Sequence, residues 1–258
     1  MTSTFTSYRL IARDLGASLA RKGAQPDVAR ETAYYEAKIG SVKSIDDLLG
    51  DRRLFAYAMK AHGLEDMTYA KAFMRKVLTE GVSDRTAFAN RLADDRYVAF
   101  AKAFDFQTYG AGTTTLAAAT TDTTAAYLRQ SVESDAGSDD TGVRLALYFA
   151  RVAPTVSSGY GVLADPALSQ VIKTMLGLPD AASSEAIARQ AAVIEARVDL
   201  ASFKDPAKLQ RFVQRFTAIW DAQNNAASAP VLTLFADSTT QGLDASLLLS
   251  LQRIRSGS

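Results

Sequence analysis

The chain has 258 residues, 48% of them hydrophobic and 22% charged, with a net charge of +1; this is the composition of a globular protein with a sizeable core. The near-zero balance and the absence of a long basic run argue against an electrostatic hold on nucleic acid or acidic lipid. With no cysteine and one histidine, disulfides, thiolate catalysis, iron–sulfur clusters and the usual zinc sites are excluded.

Tyr8, Ile11, Leu15 and Leu19 form one apolar stripe, predicting an amphipathic helix that closes at Gly23. Pro26 opens a second helix burying Val28, Tyr35 and Ile39 and ending near Gly40. A third is bounded by its own signals: Asp51 caps the first turn, Leu54, Phe55, Ala58 and Ala61 face the core, and Gly63 turns left-handed past the end. A fourth starts around Asp66, with Tyr69, Phe73 and Val77 as its knobs, and stops at Gly81. Ser83 or Asp84 caps a short helix reaching Leu92, and Asp94 caps one carrying Tyr97, Phe100 and Phe104. Between Thr108 and Thr124 threonine dominates without an apolar period, which predicts an exposed linker or long loop, with a short hairpin as the alternative.

The second half replays the first. Asp51, Leu54 and Gly63 recur as Asp165, Leu168 and Gly177, each 114 residues on, and Tyr34-Tyr35 recurs as Tyr148-Phe149 at the same interval. Tyr127, Leu128 and Val132 lie on the opening helix. Val143, Leu145, Leu147 and Phe149 make the next apolar nearly all round, as a central buried helix requires. The Asp165 helix carries Leu168, Val171, Ile172, Met175 and Leu176 on one face, each worth about 1.5–3 kcal/mol when fully buried. A helix from Ser183 or Ser184 bears Ile187, Ala191, Ile194 and Val198. Asp205-Pro206 then introduces Leu209, Phe212, Val213, Phe216, Ile219 and Trp220. An aspartate preceded two residues earlier by an apolar one thus heads a helix four times, at 51, 94, 165 and 205. All six prolines fall at predicted boundaries. Only Val231–Phe235 resembles a strand, and it can equally begin a helix. Past the turn at Asn224–Pro230, Gly242-Leu-Asp244 leads a leucine-rich closing helix. The fold class is all-α, a bundle built from a tandem-duplicated multi-helix repeat: repeat 1 over 5–106, a Thr-rich linker over 107–124, repeat 2 over 125–222 and a C-terminal extension over 223–258.

Reactive chemistry is sparse. His62 precedes Gly63 at a helix C-terminus, where a cation suits the dipole. The pairs Asp46-Asp47, Asp94-Asp95 and Asp139-Asp140 have the residue types of general acid–base catalysis, but neighbours on a helix do not face one site, and capping accounts for them. Glu133 to Asp140 has the oxygen density of a calcium loop without its spacing or closing glutamate; the alternative is a solvated turn. Gly110-Ala-Gly112 and Gly159-Tyr-Gly161 read as loops. No P-loop, dinucleotide fingerprint or nucleophile elbow is present. These readings assign no catalytic, cofactor or metal residue and no enzymatic activity. They leave the terminal helices as partner surfaces or caps on the core, and Leu247, Leu248, Leu251 and Ile254 as the candidate contacts. The opening residues lack the basic segment and apolar run of a secretory signal, and no stretch is apolar enough to span a bilayer, so cytoplasmic synthesis is expected.

Asp51-Arg-Arg-Leu54 through Ala61-His-Gly63-Leu64, then Tyr69-Ala-Lys-Ala-Phe73-Met-Arg-Lys-Val77-Leu78, resembles the bacterial domain-of-unknown-function family 1217. Arg144–Arg151, Gly161–Asp165, Asp205–Leu209 and the closing Ala245–Gln252 carry the likeness further. The resemblance implies an all-helical protein, often encoded among flagellar genes; it supplies no functional residues. It places the chain as a structural or assembly protein with protein partners, flagellar components among them, and admits export through the flagellar apparatus. The other reading is a cytoplasmic binding module with a peptide or helix held between the repeats.

Overall fold

The computed structural model describes residues 3–92, 94–179 and 184–224. In chain order the helices are α1 (Thr4–Arg13), α2 (Leu15–Gly23), α3 (Pro26–Ile39), α4 (Ile45–Gly50), α5 (Arg52–Ala61), α6 (Lys71–Glu80) and α7 (Asp95–Ala103). There follow α8 (Phe106–Tyr109), α9 (Thr121–Asp139), α10 (Thr141–Val152), α11 (Gly159–Ala164), α12 (Pro166–Leu176), α13 (Ser184–Arg197) and α14 (Pro206–Asn224), with short 3-10 turns between them. Among the described residues there is no strand.

The duplicated helix signals act as read. Asp51 accepts from the N–H groups of Arg53 and Leu54, at 2.9 and 3.0 Å, and Asp165 from those of Ala167 and Leu168, at 2.8 and 3.0 Å. Asp94 and Asp205 cap α7 and α14 in the same way. Backbone N–H bonds lower the carboxyl pKa of Asp205; at Asp51 burial raises it, and bonds from Leu54, Tyr34 and Arg53 outweigh that and bring it below the ordinary value. At the other end Gly63 and Gly177 have φ of 70° and 65°, so the Leu64 and Leu178 N–H groups fold back onto the Met59 and Lys173 carbonyls. Ser44 and Ser158, also 114 apart, cap α4 and α11.

Both caps carry a further bond. Tyr34 donates to Asp51 at 2.7 Å and Tyr148 to Asp165 at 2.6 Å, pinning α3 to α5 and α10 to α12. Asp165→Ala is therefore expected to cost the cap, about 0.5–2 kcal/mol, and to strand the Tyr148 hydroxyl, about 1 kcal/mol more. A denaturant midpoint unchanged from wild type would refute the cap.

Two cores result. One is built on Tyr35, Phe55, Met59, Met74, Phe100 and Phe104, the other on Phe149, Val171, Ile172, Ile194, Val213 and Phe216. α10 is the buried central helix its composition requires, packed against α9, α12, α14 and α1.

The local structure departs from the sequence reading in several places. The opening segment is two helices, since Asp14 (φ −140°, ψ 73°) ends α1 and caps α2 by accepting from Ala17 N–H. The threonine-rich stretch is exposed over most of 107–117, as expected, but it is not an unstructured linker: it folds into 3-10 turns, with Thr113 and Thr114 buried and Thr114 donating to the Val42 carbonyl. A threonine hydroxyl can satisfy a carbonyl locally, which is why such a stretch can be buried without an apolar period. Tyr69 is 80% exposed, because a turn over Glu65–Met67 delays α6 until Lys71. The segment from Ser83 to Leu92 is mostly turn, with only Ala89–Arg91 helical. Gly159-Tyr160-Gly161 opens α11, where any Cβ on Gly159 would strike the backbone of Ala191.

A further departure concerns topology. α1 packs on α10 and α14 of the second half, and the front of α9 packs on α5 of the first. Thr4 and Tyr8 on α1 are matched by Thr123 and Tyr127 on α9, and all four are buried. Tyr8 lies in the second core and Tyr127 in the first. The first half thus lends α1 to the second, and the second lends the front of α9 to the first.

Candidate functional site

Among the described residues, the densest polar chemistry lies along the seam where α9 meets α10. Glu133 is 1% exposed and accepts from Arg129 Nε at 2.9 Å and from Arg151 Nε and Nη2 at 2.9 and 2.7 Å. Arg129 reaches on to the Leu147 carbonyl at 3.3 Å. The Arg151 guanidinium also lies 5.0 Å from the Tyr148 ring, and Tyr148 holds Asp165. Burial, with the Asp165 bond second, raises the Tyr148 pKa, so the hydroxyl remains a donor at neutral pH.

Across the seam Arg96 donates to both oxygens of Asp94 and to the Gly63 carbonyl. His62 stands beside it, edge-on to Phe100 and Phe104 at 5.4 and 6.1 Å. Its Nε2 is shut off from solvent and has no hydrogen-bond partner. Burial first, and the Arg151 charge second, push its pKa down to about 4. His62 is thus neutral at physiological pH and does not act as the helix-terminal cation that its position suggested; the ring faces aromatic side chains, and desolvation outweighs the dipole.

The carboxylate pairs do not converge. Asp46 pairs with Arg75, Asp47 accepts from Lys43 N–H at 3.0 Å, Asp94 and Asp140 cap helices, and Asp135 meets Lys22 at 2.7 Å. Glu133 to Asp139 is the last part of helix α9 rather than a turn, with Glu133 committed to two arginines. Among the described residues no group of acids or histidines is arranged to hold a metal ion. Leu247, Leu248, Leu251 and Ile254 lie outside the described residues, as does all of the closing segment after Asn224.

Two surface grooves remain. One of about 380 Å³ lies between α5 and α9, lined by Glu31, Arg52, Arg53, Tyr57, Lys60 and Tyr127. Its floor is a stack of rings, Tyr127 on Tyr57 at 3.8 Å and Tyr57 on Tyr35 at 4.3 Å. Arg53 is taken by Glu31 at 3.1 and 3.2 Å, and Lys60 lies 5.3 Å from the Tyr127 ring, so the rim is cationic overall. The other, of about 730 Å³, follows α12 from Leu163 to Pro179 and includes Gln223. Sequence reasoning missed the Glu133 cluster because Arg129, Glu133 and Arg151 lie on two helices. The spacing of Arg129 and Glu133 on one helix face was the available signal.

Residues 61–209 match the model of a family described as proteins of unknown function, DUF1217. The chain belongs to this family. The match runs from the end of α5 into α14 and covers less than the likeness traced along the sequence, but it includes part of each half and the whole seam. A crystal structure of an Agrobacterium tumefaciens protein is similar to this DUF1217 member, with 53% identity and a TM-score of 0.81, over 87% of this chain and 97% of that one. No curated protein matches the sequence. No helix among the described residues is long and apolar enough to cross a membrane.

Proposed function

We propose that this protein is a non-enzymatic structural or assembly protein that works through helix-mediated protein contacts, in flagellar biogenesis. The observation that carries the reading is the reciprocal lending of α1 and α9: binding amphipathic helices is what both cores of this fold do. Support also comes from the seam, where Glu133, Arg151, Arg96 and Asp165 each bond to another part of the chain and are spent on holding helices together. The flagellar setting, synthesis in the cytoplasm and export through the flagellar apparatus extend the family resemblance and belong to the proposal. Deleting the gene in a flagellated host is expected to impair swimming and alter the filaments seen by electron microscopy. Normal motility would overturn the flagellar part.

A second reading is favoured by the groove between α5 and α9. Its aromatic floor and its Arg52 and Lys60 rim suit an acidic peptide or helix held between the halves by a cytoplasmic binding module. Normal motility together with a peptide contact abolished by Lys60→Glu would favour it over the first.

A further inference from the structure

α1 packs chiefly on the second half, on α10 and α14, although the chain connects it to the first. Asp221 accepts from the Thr4 and Phe5 N–H groups at 2.8 and 3.0 Å, satisfying the start of the helix, and Asp140 takes the Thr4 hydroxyl at 2.5 Å. Tyr8 fills the second core. The fit is close enough that a Cβ on Gly142 would strike both Trp220 and the Thr4 methyl group. The groove between α10 and α14 is therefore cut to the sequence of α1, and the ligand that reproduces α1 outside the molecule is a second copy of this chain.

What joins α1 to the first half is one non-helical residue, Asp14. On its far side α2 packs on α9 and on α3 of the first half. No proline interrupts residues 4–23, and the stripe Tyr8, Ile11, Leu15 and Leu19 runs straight through the break. The counterpart segment, α9, runs unbroken from Thr121 to Asp139. Restoring helical angles at Asp14 would carry α1 on as an extension of α2, reaching about 15 Å beyond it, away from its own groove.

We propose that α1 is exchangeable: it straightens onto α2 through Asp14, and fills the α10–α14 groove of a second copy of this chain. The exchange keeps the contacts of α1 with α10 and α14 while moving them between molecules, which is the low-cost route to oligomers open to a segment hinged at one point. The closed state is favoured by the Asp14 cap on Ala17 N–H, at 2.9 Å, which the straight helix does not need. The inference deepens the assembly reading, and its test uses purified full-length protein, so its outcome is separate from that of the motility experiment.

Asp14→Ala removes the cap and places a strong helix former at the junction. Size-exclusion chromatography with light scattering is expected to show the association constant raised about tenfold or more over wild type. Leu15→Pro is the opposing change. Proline suits the first position of α2 but cannot donate the bond a continuous helix needs there. That variant is expected to stay monomeric when concentrated and warmed, where wild type associates. Should Asp14→Ala lose its helical circular dichroism, wild type against Leu15→Pro decides alone. Association that survives in the Asp14→Ala, Leu15→Pro double variant, or wild type and Leu15→Pro both monomeric at millimolar concentration, would overturn the proposal.

Discussion

Glu133→Ala is expected to destabilise the protein by about 3–5 kcal/mol, the cost of removing one member of a buried ion cluster and leaving the others uncompensated. The arginines would face each other with side-chain exposures of 18% for Arg129 and 39% for Arg151, neither fully open to water. The damage spreads because Arg151 also lies against the Tyr148 ring, and Tyr148 pins the Asp165 cap. Urea unfolding should show a lower midpoint with the slope little changed. The cluster as a whole need contribute little net stability, since burying Glu133 and part of two guanidinium groups carries its own desolvation cost. Replacing Glu133, Arg129 and Arg151 together with apolar residues of similar size should therefore recover much of what Glu133→Ala loses. A loss below about 1 kcal/mol for the single change would mean that water already screens the cluster.

The second large effect is a pH dependence. His62 has its pKa pushed from 6.5 down to about 4, first by burial and then by the Arg151 charge. Between those values the unfolded chain binds a proton that the folded one refuses, so stability is complete above about pH 6.5 and declines as pH falls toward 4. The shift corresponds to about 3 kcal/mol by the low end of that window. The arginines nearby do not share the window: Arg96 and Arg151, both with raised pKa, stay charged throughout. His62→Leu places at this position the residue found 114 further on, Leu176, and removes the unpartnered Nε2. The variant should match or exceed wild type at pH 7 and lose distinctly less stability between pH 7 and pH 5. Parallel curves for the two proteins over that range would show that His62 titrates as an exposed imidazole.

Both effects arise where sequence reasoning was weakest. His62 was legible as a residue before a helix-ending glycine, and the left-handed Gly63 is there. What the ring touches depends on Phe100 and Phe104, which approach from another helix. Glu133 was legible only as part of an acidic run. The arginine that commits it, Arg151, lies 18 residues away on the next helix. Tyr69 illustrates the converse: its spacing with Phe73 and Val77 is helical, yet a local turn leaves it in solvent.

The sequence by itself determined the local grammar of this protein. Capping aspartates, left-handed glycines, boundary prolines and apolar stripes act within one turn of a helix, and their repetition at an interval of 114 made the doubled bundle readable. Tertiary structure alone decided where the opening helices pack, that the first helix breaks at Asp14 although its apolar stripe continues, and that the threonine-rich stretch is folded. A 3.6-residue period says that a face must be buried, not against what. The hydrophobic effect has no direction of its own, so the choice of partner falls to packing between residues far apart in the chain.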